Sequence, residues 1–179
     1  MSNNLKRYFF DTEFLDPSAD GFAIEFISLG IVAEDNRDFY GVYEGLDEQA
    51  CLKSAWVKAN VMAKLPEKSK WVGLDDMRRG IIDLIEPCDK VEFWAKNGTY
   101  DFYIMCRLFG GLSGLRDTLL QEKGIQNVRF CDSNDLRREL GYPQLPDADE
   151  ADKHDALFDA QLEKIQYDHM MHLKNTPKP

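Results

Sequence analysis

The chain's 179 residues suit one domain of ordinary size, and with 44% hydrophobic and 12% aromatic residues it is too apolar to be a disordered or solvating chain. Against 22 Lys and Arg stand 32 Asp and Glu, a net charge of −10, which excludes a histone-like electrostatic binder of nucleic acid. A polyanionic partner would need local help, such as bound cations. Cys51, Cys88, Cys106 and Cys131 form no CxxC pair, so they read as buried thiols of a reducing compartment rather than zinc ligands or disulfides. The first apolar run ends at Asp11, too short for a signal peptide, and the stretch Phe22 to Ala33 is broken by Glu25 and Ser28 and cannot span a bilayer. The expectation is a soluble cytoplasmic protein with no membrane partner.

Leu5 to Glu13 reads as a buried strand, Ala23 to Ala33 as a second, and Asp38 to Tyr43 as a third after the turn residues Glu34 to Arg37. The first part of the chain is therefore expected to be antiparallel β. Glu48 to Val61 and Leu74 to Glu86 carry helical spacing. Lys90 to Lys96 alternates as a strand, Asn97-Gly98 turns the chain, and Thr99 to Phe109 is apolar at helical spacing. Val128 to Cys131 reads as a short strand, with Asp132 or Ser133 capping a helix through Leu140. A polar loop precedes a last helix that turns Ala156, Leu157, Ala160, Leu162 and Ile165 inward. The order β-β-β-α-α-β-α-α-β-α-α predicts an α/β layer fold with a mixed sheet. One domain is expected over residues 1–174, with a disordered tail over 175–179.

Three strings carry chemistry. Tyr8-Phe9-Phe10-Asp11-Thr12-Glu13-Phe14 ends a strand with carboxylates at i and i+2, which project to the same side. Two such anions repel unless a cation lies between them, the geometry of a hard-metal site for Mg²⁺ or Mn²⁺. The alternative is a strand simply leaving the core into a polar turn. Asn97-Gly98-Thr99-Tyr100-Asp101 opens a helix, where Asp101 faces the positive end of the helix dipole and is easily kept ionised; an acid there is also common for structural reasons alone. In His154-Asp155-Ala156-Leu157-Phe158-Asp159 five helical steps would set His154 and Asp159 roughly 140° apart, so both cannot share one helix face. His154 is therefore expected in the loop, with Asp155 as N-cap and Asp159 one turn in. By itself this string equally suits a capped surface helix.

Taken together and in this order, the strings resemble the motifs of the DEDD 3′→5′ exonuclease superfamily in its histidine subclass: Asp-x-Glu, Asn-x-x-Tyr-Asp and His-x-x-x-x-Asp. The runs Ile27 to Asp35, Trp94-Ala95 and His154 to Leu157 are similar to the small exoribonucleases of mycobacterial type and to phage relatives. The resemblance covers Arg7 to about Lys164 and implies an RNase-H-like fold. It implies that Asp11, Glu13 and Asp159 hold one divalent ion, that Asp11 bridges to a second, and that Asp101 supports the second directly or through water. The cofactors would be two Mg²⁺, with Mn²⁺ able to substitute, and His154 would take a proton from the attacking water. The implied activity is metal-dependent release of nucleoside 5′-monophosphates from single-stranded 3′ ends, of RNA ahead of DNA. Homodimer formation is a further expectation by analogy.

One departure stands out: many relatives follow Asp-x-Glu with Thr-Thr-Gly, whereas here Phe14-Leu15-Asp16 follows. Phe14 either stacks on a base or belongs to the core. Thr12, Phe14, Lys96 and Asn97 are the candidate substrate contacts. A phosphatase of the haloacid-dehalogenase type also begins with a strand ending in an acidic pair, but Glu13 and Leu15 spoil its Asp-x-Asp-x-Thr pattern. A catalytically inactive nucleic-acid-binding module on the same fold is opposed by the intact acidic set. His169 and His172, three apart on the last helix, read as surface residues without a third ligand.

Overall fold

The computed structural model describes residues 4–16 and 24–176. β1 (Leu5–Leu15) is the centre of a five-stranded mixed sheet with β2 (Glu25–Ala33) and β3 (Asp38–Val42) on one side and β4 (Lys90–Ala95) and β5 (Asn127–Asp132) on the other, in the order β3-β2-β1-β4-β5. The pairs β1–β2 and β2–β3 are antiparallel, and β1–β4 and β4–β5 are parallel. A central strand must be apolar on both faces, and Tyr8, Phe9 and Phe10 are all buried.

Tyr8 and Phe10 join Leu29, Ile31 and Phe93 in the larger core. That face is covered by α3 (Leu74–Leu84), α4 (Thr99–Leu108) and α5 (Leu112–Lys123). Phe9 points to the other face, where α6 (Ser133–Glu139) and α7 (Ala156–Asn175) supply Leu136, Tyr167 and Met170. A third cluster joins Ile27 and Val42 to Cys51 of α1 (Glu48–Lys53) and Val57 of α2 (Ala55–Asn60). Gly30 sets how closely α7 approaches the sheet. A Cβ there would lie 2.3 Å from the carbonyl oxygen of Ala156. The first turn of α7 can therefore rest on β2 directly beside Asp11, the cross-strand partner of Gly30.

Several expected boundaries move. The helix expected over Glu48 to Val61 is two, because the Ser54 backbone is extended and its hydroxyl accepts from the Val57 amide, starting a new helix. The helix beginning at Leu74 stops at Leu84, ahead of Pro87, which disfavours helical backbone in the residue before it. β3 ends at Val42, and Tyr43 instead bridges to Val72. β1 runs two residues further than expected, through Leu15. Ala23, the expected start of the second strand, lies outside the described residues. Asn175 is the last residue of α7, and Thr176 caps it; the rest of the expected tail, 177–179, lies outside the described residues. Cys51 and Cys88 are buried as expected, but Cys106 and Cys131 are only partly so, and all four are free. Among the described residues no helix is long and apolar enough to cross a membrane.

Candidate active site

The site lies where β1 ends beneath the first turn of α7. Strand alternation turns Asp11 and Glu13 toward α7 and Thr12 toward α4. Between Glu13 and Phe14 the register of β1 against β2 shifts by one residue, with Ile27 the extra residue on β2. Asp155 caps α7 through bonds from the Leu157 and Phe158 amides at 3.1 and 3.0 Å. His154 precedes it with a left-handed φ of 65°, which turns its N–H to Asp159 Oδ2 at 2.7 Å. The loop histidine and the helix carboxylate therefore converge as the spacing required. Ligand atoms of Glu13, His154 and Asp159 all lie within 4.8 Å of one another.

Asp101, in the first turn of α4, is 6% exposed. Its Oδ1 accepts from the Thr12 amide at 2.9 Å and from the Thr12 hydroxyl at 2.6 Å. Thr12 thus serves the site as the partner of Asp101. Asn97 takes a left-handed φ of 54°. Asp132, the N-cap of α6, fixes that turn by accepting from the amides of Asn97 and Gly98, both at 3.2 Å. Lys96 and Asn97 line a cavity of about 460 Å³ together with Asp11, Asp159 and Arg137. Phe14 is half-buried beside the half-exposed Tyr100, with ring centroids 5.1 Å apart. It belongs to none of the three core clusters.

The electrostatics are those of a cluster of mutually repelling carboxylates. Burial, then Asp159 and Asp155, push Glu13 up to about 8, and Lys64 offsets this in part. Burial, then the charges of Asp101, Glu13, Asp159 and Glu163, push Asp11 well above the usual carboxylate range. Burial raises Asp101 against the pull of the Thr12 bonds, and raises Asp159 against the pull of the His154 amide. Perturbation of this kind clusters at functional sites. A divalent ion fits the donor set. Opposite oxygens around Mg²⁺ stand about 4.2 Å apart, so a group already within 4.8 Å needs only slight closure. The sidedness of Asp11 and Glu13, the Asp155 cap and the loop position of His154 are as expected from the sequence.

Two neighbouring residues escaped sequence reasoning. Trp56 in α2 is 52% exposed and packs edge-on against the His154 ring at 4.6 Å. Its signal was a large aromatic lying off the inward stripe of its helix. Glu163, four residues after Asp159 on α7, is 4% exposed. It lies on the stripe that α7 buries with Ala156, Ala160, Tyr167 and Met170, whereas Ile165, expected inward, is exposed. The histidines His169 and His172 join no three-residue group of metal-binding side chains among the described residues.

No family model matches the chain. Among curated proteins it is similar to the 3′-5′ exoribonucleases of two strains of Mycobacterium tuberculosis, each 35% identical over 159 residues that span 86% of both chains. Among solved structures it is similar in fold to a full-length 3′-exonuclease, with a TM-score of 0.51 at 12% identity, covering 95% of this chain and 82% of the other. The mixed sheet flanked by helices is the architecture of that exonuclease, as the RNase-H-like expectation required. By its identity and coverage, the chain belongs to the family of the 3′-5′ exoribonucleases.

Proposed function

We propose that the protein is a metal-dependent 3′→5′ exonuclease that removes nucleoside 5′-monophosphates from single-stranded 3′ ends, with RNA preferred. The observation that carries this reading is the meeting of Glu13, His154 and Asp159 within 4.8 Å, beside Asp11. Asp11, Glu13 and Asp159 would hold one ion, and Asp11 and Asp101 a second, Mg²⁺ with Mn²⁺ able to substitute. Two bound divalent ions supply charge for the attacking and leaving oxygens of an in-line displacement. The residues of the chain do the rest. His154 takes the proton of the attacking water, held in place by its own amide bond to Asp159 and by the edge of Trp56. Thr12 fixes Asp101 and so ties β1 to α4 on the reaction side. Trp56, in contact with His154, and the Phe14–Tyr100 pair, adjacent in sequence to Glu13 and Asp101, are partly exposed aromatics that suit stacking on an unpaired terminal base. Lys96 and Asn97, which line the cavity, suit phosphate.

The close approach of His154 to Glu13 and Asp159 supports a second reading, in which the imidazole is itself a ligand. Calorimetry of His154→Ala with Mn²⁺ separates the two, because a base can be removed without loss of ion binding.

The function is tested with 3′-labelled and 5′-labelled oligonucleotides with and without Mg²⁺. Mononucleotide release from the 3′ label, abolished by chelator, is the expected result; release from the 5′ end first, or turnover in chelator, overturns it. Replacing only the terminal ribose by deoxyribose should slow the first cleavage and leave later ones normal, since the 2′-hydroxyl is what separates RNA from DNA. Equal first-step rates would remove the RNA preference alone.

A further inference from the structure

Both carboxylate oxygens of Glu163 are sealed from solvent and have no hydrogen-bond partner. The Ser133 hydroxyl lies close enough to favour the anion, but neither oxygen accepts a hydrogen bond. A buried polar group left in this state is costly, and in native proteins it signals a missing partner such as an ion or a water. Elsewhere on the same helix the chain avoids that cost. Gln166 is as buried as Glu163, at 4% exposed, but it is a neutral amide and donates to the Pro146 carbonyl at 2.8 Å.

The packing of α7 on β1 shows which residue Glu163 faces. Four helical residues rise about 6 Å, and two strand residues rise about 6.6 Å, so side chains four apart on α7 keep step with side chains two apart on β1. The ladder is anchored at both ends. Asp159 meets Glu13 within 4.8 Å at one end, and Tyr167 meets Phe9 with ring centroids 5.0 Å apart at the other. Between them, Glu163 stands level with Asp11, and the two residues line the same cavity. Asp101 keeps a carboxylate oxygen for this level, because both bonds from Thr12 go to Oδ1.

We propose that Glu163 is a direct ligand of the second divalent ion, forming with Asp11 a second rung beside the Glu13–Asp159 rung. This rests on the metal-dependent reading above and adds a carboxylate that the three motifs do not contain. The charge of Lys96, which lines the same cavity, acts on Glu163 and offsets part of its negative charge.

The test is a calorimetric titration of the full chain with Mn²⁺, comparing the wild type with Glu163→Gln. The wild type should bind two ions; the variant should keep one site unchanged and lose the other by about tenfold or more. Its ion-free melting temperature should not fall, because a buried unpaired charge has been removed. A folded variant that binds two ions with wild-type affinities overturns the proposal. Should the variant fail to fold, a wild-type crystal soaked in MnCl₂ decides. An anomalous peak about 2.1 Å from a Glu163 oxygen is expected, and peaks at Glu13 and Asp159 with none beside Glu163 overturn the assignment. A wild type that binds fewer than two ions overturns the two-ion reading itself, a separate outcome from loss of the Glu163 ligand alone.

Discussion

Glu13 and Glu92 are glutamates of adjacent strands, equally buried at 8% and 7% exposed, and the fold treats them oppositely. Burial penalises both charges. At Glu92 the protein answers with its own cations. Lys90 lies at 2.7 Å, Arg7 at 3.3 Å and Arg129 at 3.7 Å, and the bond and charge of Lys90 followed by Arg7 outweigh burial and hold Glu92 below the usual carboxylate range. At Glu13 the neighbours are Asp159, Asp155 and Asp101, and the carboxyl rises to about 8. Among the described residues, Asp11, Glu13, Asp101, Asp159 and Glu163 enter no ion pair with Lys or Arg, while Glu92 enters three. A buried acid that carries its own counter-charge is part of the scaffold. A cluster of acids without one is the feature that supports the proposed ion site.

The sharpest way to break this contrast is Asp11→Asn, which removes the proposed bridge between the two ions. Turnover should be abolished while the ion-free fold is unharmed, since a repelled carboxylate has been relieved. More than a tenth of the wild-type rate would show that Asp11 is no bridge. Next comes His154→Ala, for which a fall in kcat of about 10²–10⁴ with retained ion binding is the signature of a general base. Trp56→Ala should raise KM for single strands about 5- to 100-fold, the worth of one base stacked on an aromatic ring. An unchanged KM would assign that ring to packing on His154 alone.

The two glutamates themselves can be set against each other in the ion-free protein. Glu92→Gln should cost about 1–3 kcal/mol by stranding the cations around it, whereas Glu13→Gln should leave the melting temperature the same or higher. The smallest effect is on pH dependence, and its sign follows from the direction of the shift. Because Glu13 rises from 4.5 to about 8 on folding, the folded state holds the proton more tightly. Its stabilising contribution is full below 4.5 and is lost as pH rises through about 8, so the ion-free melting temperature should fall across that window. Added Mg²⁺ should raise the melting temperature more at pH 8 than at pH 6, because ion binding requires the deprotonated carboxylates. An increment that shrinks as pH rises would contradict the shift.

Much of the site was legible because its rules are local. Asp11 and Glu13 share a side because strands alternate, and Asp155 caps α7 because an Asp before an apolar helical pattern has amides to accept from. His154 falls in the loop because a continuous helix would have separated it from Asp159. What was illegible depended on competition between local signals or on distant partners. Ser54 broke a helix whose apolar spacing ran straight through it, because its hydroxyl offered the backbone a new cap. The bond of Thr12 to Asp101 was not legible, because it depends on a helix that begins nearly ninety residues later.

The sequence by itself determined the sheet-and-helix order, the sidedness of Asp11 and Glu13 and the cap of α7, since period-2 alternation and capping act over a few residues. Only the tertiary structure decided how the strings meet. It placed Gly30 under Ala156 so that α7 descends onto β1, set Trp56 against His154, and left Glu163 without a partner level with Asp11. Those relations depend on the depth and register of a helix on a sheet, which are fixed when side chains from distant segments exclude water together, and no local pattern encodes them.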